Sequence, residues 1–232
     1  MPQNKARAIS GASATAEERY QAIKERMAKA AKIAGRPADD AALIAISKTY
    51  EAEAILPFLE AGHRLFGENR VQEAQNKWPA LKEQFPDAEL HLVGQLQSNK
   101  AEDAVALFDA IHSVDRPSLV TAIANAQRKL GKTPQLFIQV NIGDEAQKGG
   151  CAIADLPALI SAARDAELNI VGLMCIPPAD LEAAPYFALL RKLARENGLE
   201  KLSMGMSDDF ETAIQTGATH IRVGSALFGP RS

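Results

Sequence analysis

Short apolar runs alternate with longer Ala-, Leu- and charge-rich segments along almost the whole chain, and this alternation restricts the fold more than any other feature. Leu43–Lys48, Arg64–Asn69, Leu90–Gly94, Ala110–Val114, Gln135–Asn141, Ile170–Cys175, Lys201–Gly205 and His220–Gly224 read as strands. They are apolar nearly throughout instead of alternating, which suits strands covered on both faces, as in a parallel sheet. Glu51–Glu60, Val71–Phe85, Asn99–Phe108, Ser118–Leu130, Ile153–Asp165, Leu181–Glu196 and Asp208–Thr216 read as helices, and Ala226–Phe228 opens a short last one. With their loops these segments provide the crossovers of about a dozen residues that parallel neighbours need. Repeated strand–helix units over about 190 residues give an α/β fold, a single (β/α)8 TIM-type barrel. An open doubly wound sheet stays as the alternative, because periodicity does not show closure.

An extra helix precedes the barrel. Thr15 and Glu18 have the spacing of a capping box. Tyr20, Ile23, Met27, Ala30 and Ala34 then recur at helical spacing, and Gly35 and Pro37 stop the helix. There is no linker or low-complexity tract, so residues 1–232 read as one domain, with 1–14 expected to be flexible.

Composition narrows the function. Lys plus Arg number 26 against 29 Asp plus Glu, a net charge of −3, which counts against a nucleic-acid binder. No apolar run is long enough for a membrane helix, so no membrane partner is expected. The polar start of the chain lacks a signal-peptide core, which points to the cytoplasm. Cys151 and Cys175 are far apart and indicate neither a disulfide framework nor a zinc site. Aromatic residues are 5% of the chain, so the core is expected to be aliphatic. His63, His91, His112 and His220 show no metal spacing and read as core or strand-terminal residues.

Several residues carry chemistry. Lys48 ends an apolar strand on the face of Ile44 and Ile46, where barrel enzymes build their sites. A lysine there is either a nucleophilic amine, able to form a Schiff base, or one snorkelling to solvent. Ser207, Gly224 and Ser225 fall in the loops after strands seven and eight, a frequent phosphate site in barrels. The two serines read equally as helix N-caps. Asp208 and Asp209 must turn away from any bound phosphate. Arg222 shares a face with Gly224 and would be buried in the lumen, paired either with a ligand or with a carboxylate. Asn69 stands at a strand end, as a ring contact or a helix cap. His91, Gln95, Gln97, Ser98, Asn99 and Lys100 cluster around the end of strand three, and Lys148-Gly149-Gly150 reads as a mobile loop.

Seven segments in one order resemble the pyridoxal phosphate homeostasis protein family, whose fold is that of the N-terminal barrel of alanine racemase. They are LIAISKT (43–49), FGENRVQE (66–73), HLVGQLQSNK (91–100), IHSVD (111–115), QVNIGDEAQKG (139–149), GLMCIP (172–177) and LSMGMSDDFETAIQTGATHIRVGSALFG (202–229). The resemblance implies that Lys48 holds pyridoxal 5′-phosphate as a Schiff base. It implies that Ser207, Gly224 and Ser225 grip the phosphate, that Arg222 faces the pyridine nitrogen and that Asn69 lies beside the ring. An arginine there cannot give up its proton, so it should keep the nitrogen unprotonated and weaken the ring as an electron sink. The racemase relatives take a tyrosine acid–base group from an additional domain. Tyr20, Tyr50 and Tyr186 are not placed to supply it, and no such domain follows the eighth unit. The resemblance therefore implies a protein serving cofactor homeostasis or delivery with little or no turnover, possible recipients being pyridoxal phosphate-dependent apo-enzymes. An amino-acid racemase is the alternative. Lacking the racemase dimer interface, the chain is expected to be a monomer.

Overall fold

In this computed structural model residues 14–229 are described. The stretch expected to be flexible, 1–14, lies outside them except for Ala14. Eight strands form a closed parallel barrel in chain order: β1 (Ala42–Ile46), β2 (Leu65–Glu68), β3 (Glu89–Leu92), β4 (Ala110–Val114), β5 (Gln135–Gln139), β6 (Ile170–Met174), β7 (Lys201–Ser203) and β8 (His220–Val223). Closure is made by β1 on β8, with Ile44 opposite Arg222 and Ala45 opposite Val223, so the open sheet is excluded. Among the described residues the helices are α1 (Ala16–Ile33), α2 (Ala52–Glu60), α3 (Val71–Gln84), α4 (Ala101–Leu107), α5 (Pro117–Leu130), α6 (Leu156–Asp165), α7 (Ala184–Glu196), α8 (Phe210–Thr216) and α9 (Ser225–Phe228).

Most strands stop one or two residues before the apolar run does, because the last residues are polar or glycine and turn out of the ladder into the site loops. Two of the expected helices open with a 3₁₀ turn, Ser98–Lys100 and Ile153–Asp155.

The core has two compartments of different chemistry. Between the strands and the helices it is mainly aliphatic, with Phe58, Phe66, Trp78, Phe187 and Phe210 as fully buried exceptions. Burying such a side chain contributes about 1.5–3 kcal/mol. The lumen departs from the expected aliphatic filling. His91, His112, His220 and Phe137 pack there, the His112 and Phe137 rings stacked at 4.1 Å. His91 is thus a lumen residue and does not join the polar cluster at the end of β3. Burial drives these imidazoles to the neutral form: the pKa falls to about 3 for His91, well below the usual value for His112, and to about 4 for His220.

The first helix begins with the expected capping box, Glu18 N donating to Thr15 Oγ1 and Thr15 N to Glu18 Oε2. It packs on α8, α9 and α2. Arg19 Nε donates to the Leu227 carbonyl at 2.5 Å and Arg26 pairs with Glu211 at 2.8 Å. The extra helix thereby fixes the last unit of the barrel, which carries three of the expected site residues, Arg222, Gly224 and Ser225.

Candidate functional site

All six residues singled out in the sequence line one cavity of about 270 Å³ at the C-terminal ends of the strands: Lys48, Asn69, Ser207, Arg222, Gly224 and Ser225. Ile46, Val93, Ile176 and Met206 supply its apolar wall. Larger depressions lie elsewhere: those of about 490 and 610 Å³ along the outer face of α7 and one of about 330 Å³ beside Asp109 contain none of the six, while one of about 390 Å³ at the start of α3 shares only Asn69. Lys48 lies two residues beyond the end of β1, in the turn before α2, instead of in the strand. Asn69 does not cap α3, whose N-cap residue is Arg70. Its backbone is approached closely by Gly94, where a Cβ would lie 2.1 Å from the Asn69 carbonyl oxygen.

Arg222 is buried and has no carboxylate partner among the described residues, contrary to one of the two expectations. Its Nη1 donates to Ser203 Oγ at 2.8 Å and its Nη2 to the Cys175 carbonyl at 2.8 Å. The hydroxyl of Ser203 lies 2.8 Å from His112 Nδ1, and His112 Nε2 lies 3.0 Å from His91 Nδ1. A guanidinium only donates. Ser203 Oγ must accept from it, so the serine proton goes to His112 Nδ1; the Nε2 proton of His112 then goes to His91. This assignment is inferred from the network and fixes both tautomers. Burial pulls the Arg222 pKa below its usual value, opposed by Cys175 and Asp209. The Cys175 thiol is itself pushed up to about 12 by burial and is neutral at pH 7, so Asp209 is the carboxylate whose field counts. The sequence-based reading missed Ser203 and His112, since nothing in the sequence marks that a serine on neighbouring β7 accepts from the arginine and links it to a histidine across the lumen on β4.

Neither serine of the β7 and β8 loops is an N-cap. Asp209 precedes α8 and Gly224 precedes α9, which leaves both hydroxyls at the cavity, Ser225 Oγ donating to Ser207 Oγ at 3.4 Å. The two acidic neighbours behave differently. Asp209 Oδ1 accepts from Met206 N at 2.6 Å, whereas Asp208 is among the residues lining the cavity. The fold of this loop depends on Gly205: its φ is +93°, and a Cβ would lie 2.5 Å from Ala213 Cβ. The 148–150 loop is pinned, not mobile. Gln139 Nε2 donates to the Gly149 carbonyl at 3.0 Å, Lys148 Nζ to the Pro177 carbonyl at 2.9 Å, and Cys151 bridges to Val140. Its glycines permit close approach; a Cβ on Gly149 would lie 2.1 Å from Gln95 Nε2. No group of three or more metal-ligating side chains occurs among the described residues. No helix there is long and apolar enough to cross a membrane.

Residues 19–232 match the family model described as alanine racemase, N-terminal domain. A protein of Pseudomonas aeruginosa named pyridoxal phosphate homeostasis protein is 42% identical over 224 residues, which cover 94% of this chain and 96% of that protein. The chain belongs to the pyridoxal phosphate homeostasis protein family. Among solved structures of similar proteins is PipY of Synechococcus elongatus without pyridoxal phosphate, with a TM-score of 0.83 and 39% identity over 93% of this chain and all of that one. PipY with pyridoxal phosphate bound gives a TM-score of 0.77 and 41% identity over 89% of this chain. The family's barrel is therefore what positions the six cavity residues here.

Proposed function

We propose that the cavity holds pyridoxal 5′-phosphate and that the protein stores and releases this cofactor without robust turnover. The observation that carries the proposal is the convergence of a primary amine, Lys48, two adjacent hydroxyls, Ser207 and Ser225, and a buried guanidinium, Arg222, on one cavity. That set matches the ligand's three chemical handles: an aldehyde, a phosphate and a ring nitrogen. A volume of about 270 Å³ lies just below the range of drug-sized ligand sites, about 300–1,000 Å³, and suits a single substituted ring. When bound, pyridoxal phosphate supplies an aldehyde that condenses with an amine, releasing water, and a ring able to draw electrons from an attached carbon.

The protein's own residues divide this work. Lys48 supplies the amine. Ser207 and Ser225 donate hydroxyl hydrogens to the phosphate, with the unpaired N–H groups at the start of α9 beside them. Arg222 offers N–H donors to the ring nitrogen, which discourages protonation there and weakens carbanion chemistry. Asn69 stands beside the ring. None of the three tyrosines lines the cavity: Tyr50 donates to the Gly229 carbonyl at 2.8 Å and stacks on Phe228, while Tyr20 meets His63. This supports storage over racemisation. Met206, Asp208 and Ser225 are exposed at the rim, which supports exchange with apo-enzymes. Two buried free thiols suit a reducing cytoplasm. As a delivery protein it would work as a monomer, which sedimentation at working concentration checks.

Equilibrium dialysis against pyridoxal phosphate tests the core of this reading. Saturable binding, weakened but not abolished by Lys48→Ala, is expected, with no amino-acid turnover above that of the variant. Absence of binding would refute the cofactor; strong racemase or transaminase activity would refute the storage role.

A further inference from the structure

The turn that carries Lys48 is held by a second lysine. Lys77, on α3, is buried, and its ammonium reaches the Ser47 carbonyl at 2.8 Å, the Tyr50 carbonyl at 2.8 Å, Glu68 Oε1 at 2.8 Å and Glu73 Oε1 at 3.2 Å. The two carbonyls bracket Lys48 and Thr49. Glu73 Oε1 also accepts from Thr49 N, and Ser47 Oγ donates to Glu68 Oε1 at 2.6 Å. Thr49 itself has a φ of +66°, the left-handed region, where a β-branched side chain is a real outlier. Such strain persists only where surrounding contacts over-determine it, and it gathers at functional sites.

We propose that Lys77, with Glu73 and Glu68, is a positioning group that clamps this turn and so fixes the reach of the Lys48 amine into the cavity. An ion pair that served only to join α3 to β2 would use one carboxylate. Here an ammonium with three donors is taken out of water and faces four oxygens, two of them main-chain carbonyls on either side of Lys48. The cluster lies on the outer face of the barrel, since Trp78 Nε1 also donates to Glu68 Oε1 at 3.0 Å, whereas Lys48 lines the cavity on the other side. The clamp therefore grips the backbone from behind and touches no ligand. Glu68 Oε2 has no partner, so the cluster is not arranged for maximal pairing.

The inference rests on the reading of Lys48 as the cofactor-holding amine, and its test separates the two. Lys77→Met, Thr49→Gly and the pair are made in the full chain. In cofactor-free protein, Lys77→Met is expected to speed amide exchange of Thr49 and Tyr50 by about tenfold or more, the scale of one lost hydrogen bond. After loading and borohydride reduction, the share of cofactor retained on residue 48 should fall several-fold. Non-covalent binding in a Lys48→Ala background should stay unchanged. Thr49→Gly relieves the strained residue and should restore part of the retained share. If Lys77→Met lowers only the melting temperature, with exchange at Thr49 and retention at residue 48 as in the parent, the positioning role is overturned. Should Lys77→Met not fold, Lys77→Met/Glu68→Gln removes both charges and reads the same quantities. If the parent chain itself retains nothing on residue 48, the reading of Lys48 fails while the exchange result still decides whether the clamp holds the turn.

Discussion

Replacing Ser203 with alanine removes one oxygen from the lumen and strands two polar groups. Ser203 is fully buried, its Oγ accepts from Arg222 Nη1 at 2.8 Å, and it sits 2.8 Å from His112 Nδ1. Arg222 is 5% exposed and His112 0%, so water does not take over readily. A hydrogen bond to a charged group contributes about 1.5–3 kcal/mol, and an abandoned buried partner costs about 1–3 kcal/mol. A loss of about 3 kcal/mol follows, or about 6–12 °C in melting temperature for a chain of this size. Ser113 provides the matched control: it is equally buried, yet its Oγ has no hydrogen-bond partner, so Ser113→Ala should be close to neutral. Urea unfolding of the cofactor-free variants, followed by the fluorescence of the single, buried Trp78 and by circular dichroism, measures both. Equal losses in the two variants would refute the chain of hydrogen bonds from Arg222 to His91.

Three further outcomes follow from the same structure. All four histidines are buried with lowered pKa values, about 4 for His63 and His220 and about 3 for His91, so the unfolded chain binds more protons in mild acid. Their contribution is whole above their ordinary pKa of about 6.5 and is lost as pH falls toward 4, by up to about 1.4 kcal/mol per pH unit for each. Glu68 and Asp209, raised by burial, oppose this but are fewer; a flat stability profile from pH 6.5 to 5 would contradict the burial of neutral histidines. Gly205→Ala should cost about 1–3 kcal/mol more than Gly62→Ala, because both have positive φ but only Gly205 lacks room for a Cβ; equal costs would show that the loop yields. Arg222→Gln should shift the absorption spectrum of the bound cofactor, and an unchanged spectrum would place Arg222 away from the ring.

The barrel was legible because eight apolar runs and their crossovers permit few arrangements, and the six cavity residues because each stands in or just beyond the C-terminal part of a strand run. The lumen was not. Strand periodicity places His91 and His112 on one face but does not show that neutral imidazoles pass a hydrogen bond to Arg222 through Ser203. Glu68 stands beside Asn69 at the end of β2, yet it points to α3, since the alternation that turns Gly67 and Asn69 inward turns it outward. Nothing in the sequence singles out Lys77, four residues after Glu73 on α3; the packing of α3 on β2 and against the turn after β1 makes it a buried cation. The paired glycines at 149 and 150 suggested mobility, whereas they serve the close approach of Gln95 and of the backbone at Asn141.

The most direct measurement is the mass of the intact protein after loading with pyridoxal phosphate and borohydride reduction, followed by location of the modified peptide. One reduced cofactor per chain on Lys48, absent from Lys48→Ala, is the expected result. A cofactor fixed instead on Lys100 or Lys148, or no covalent retention at all, would contradict it.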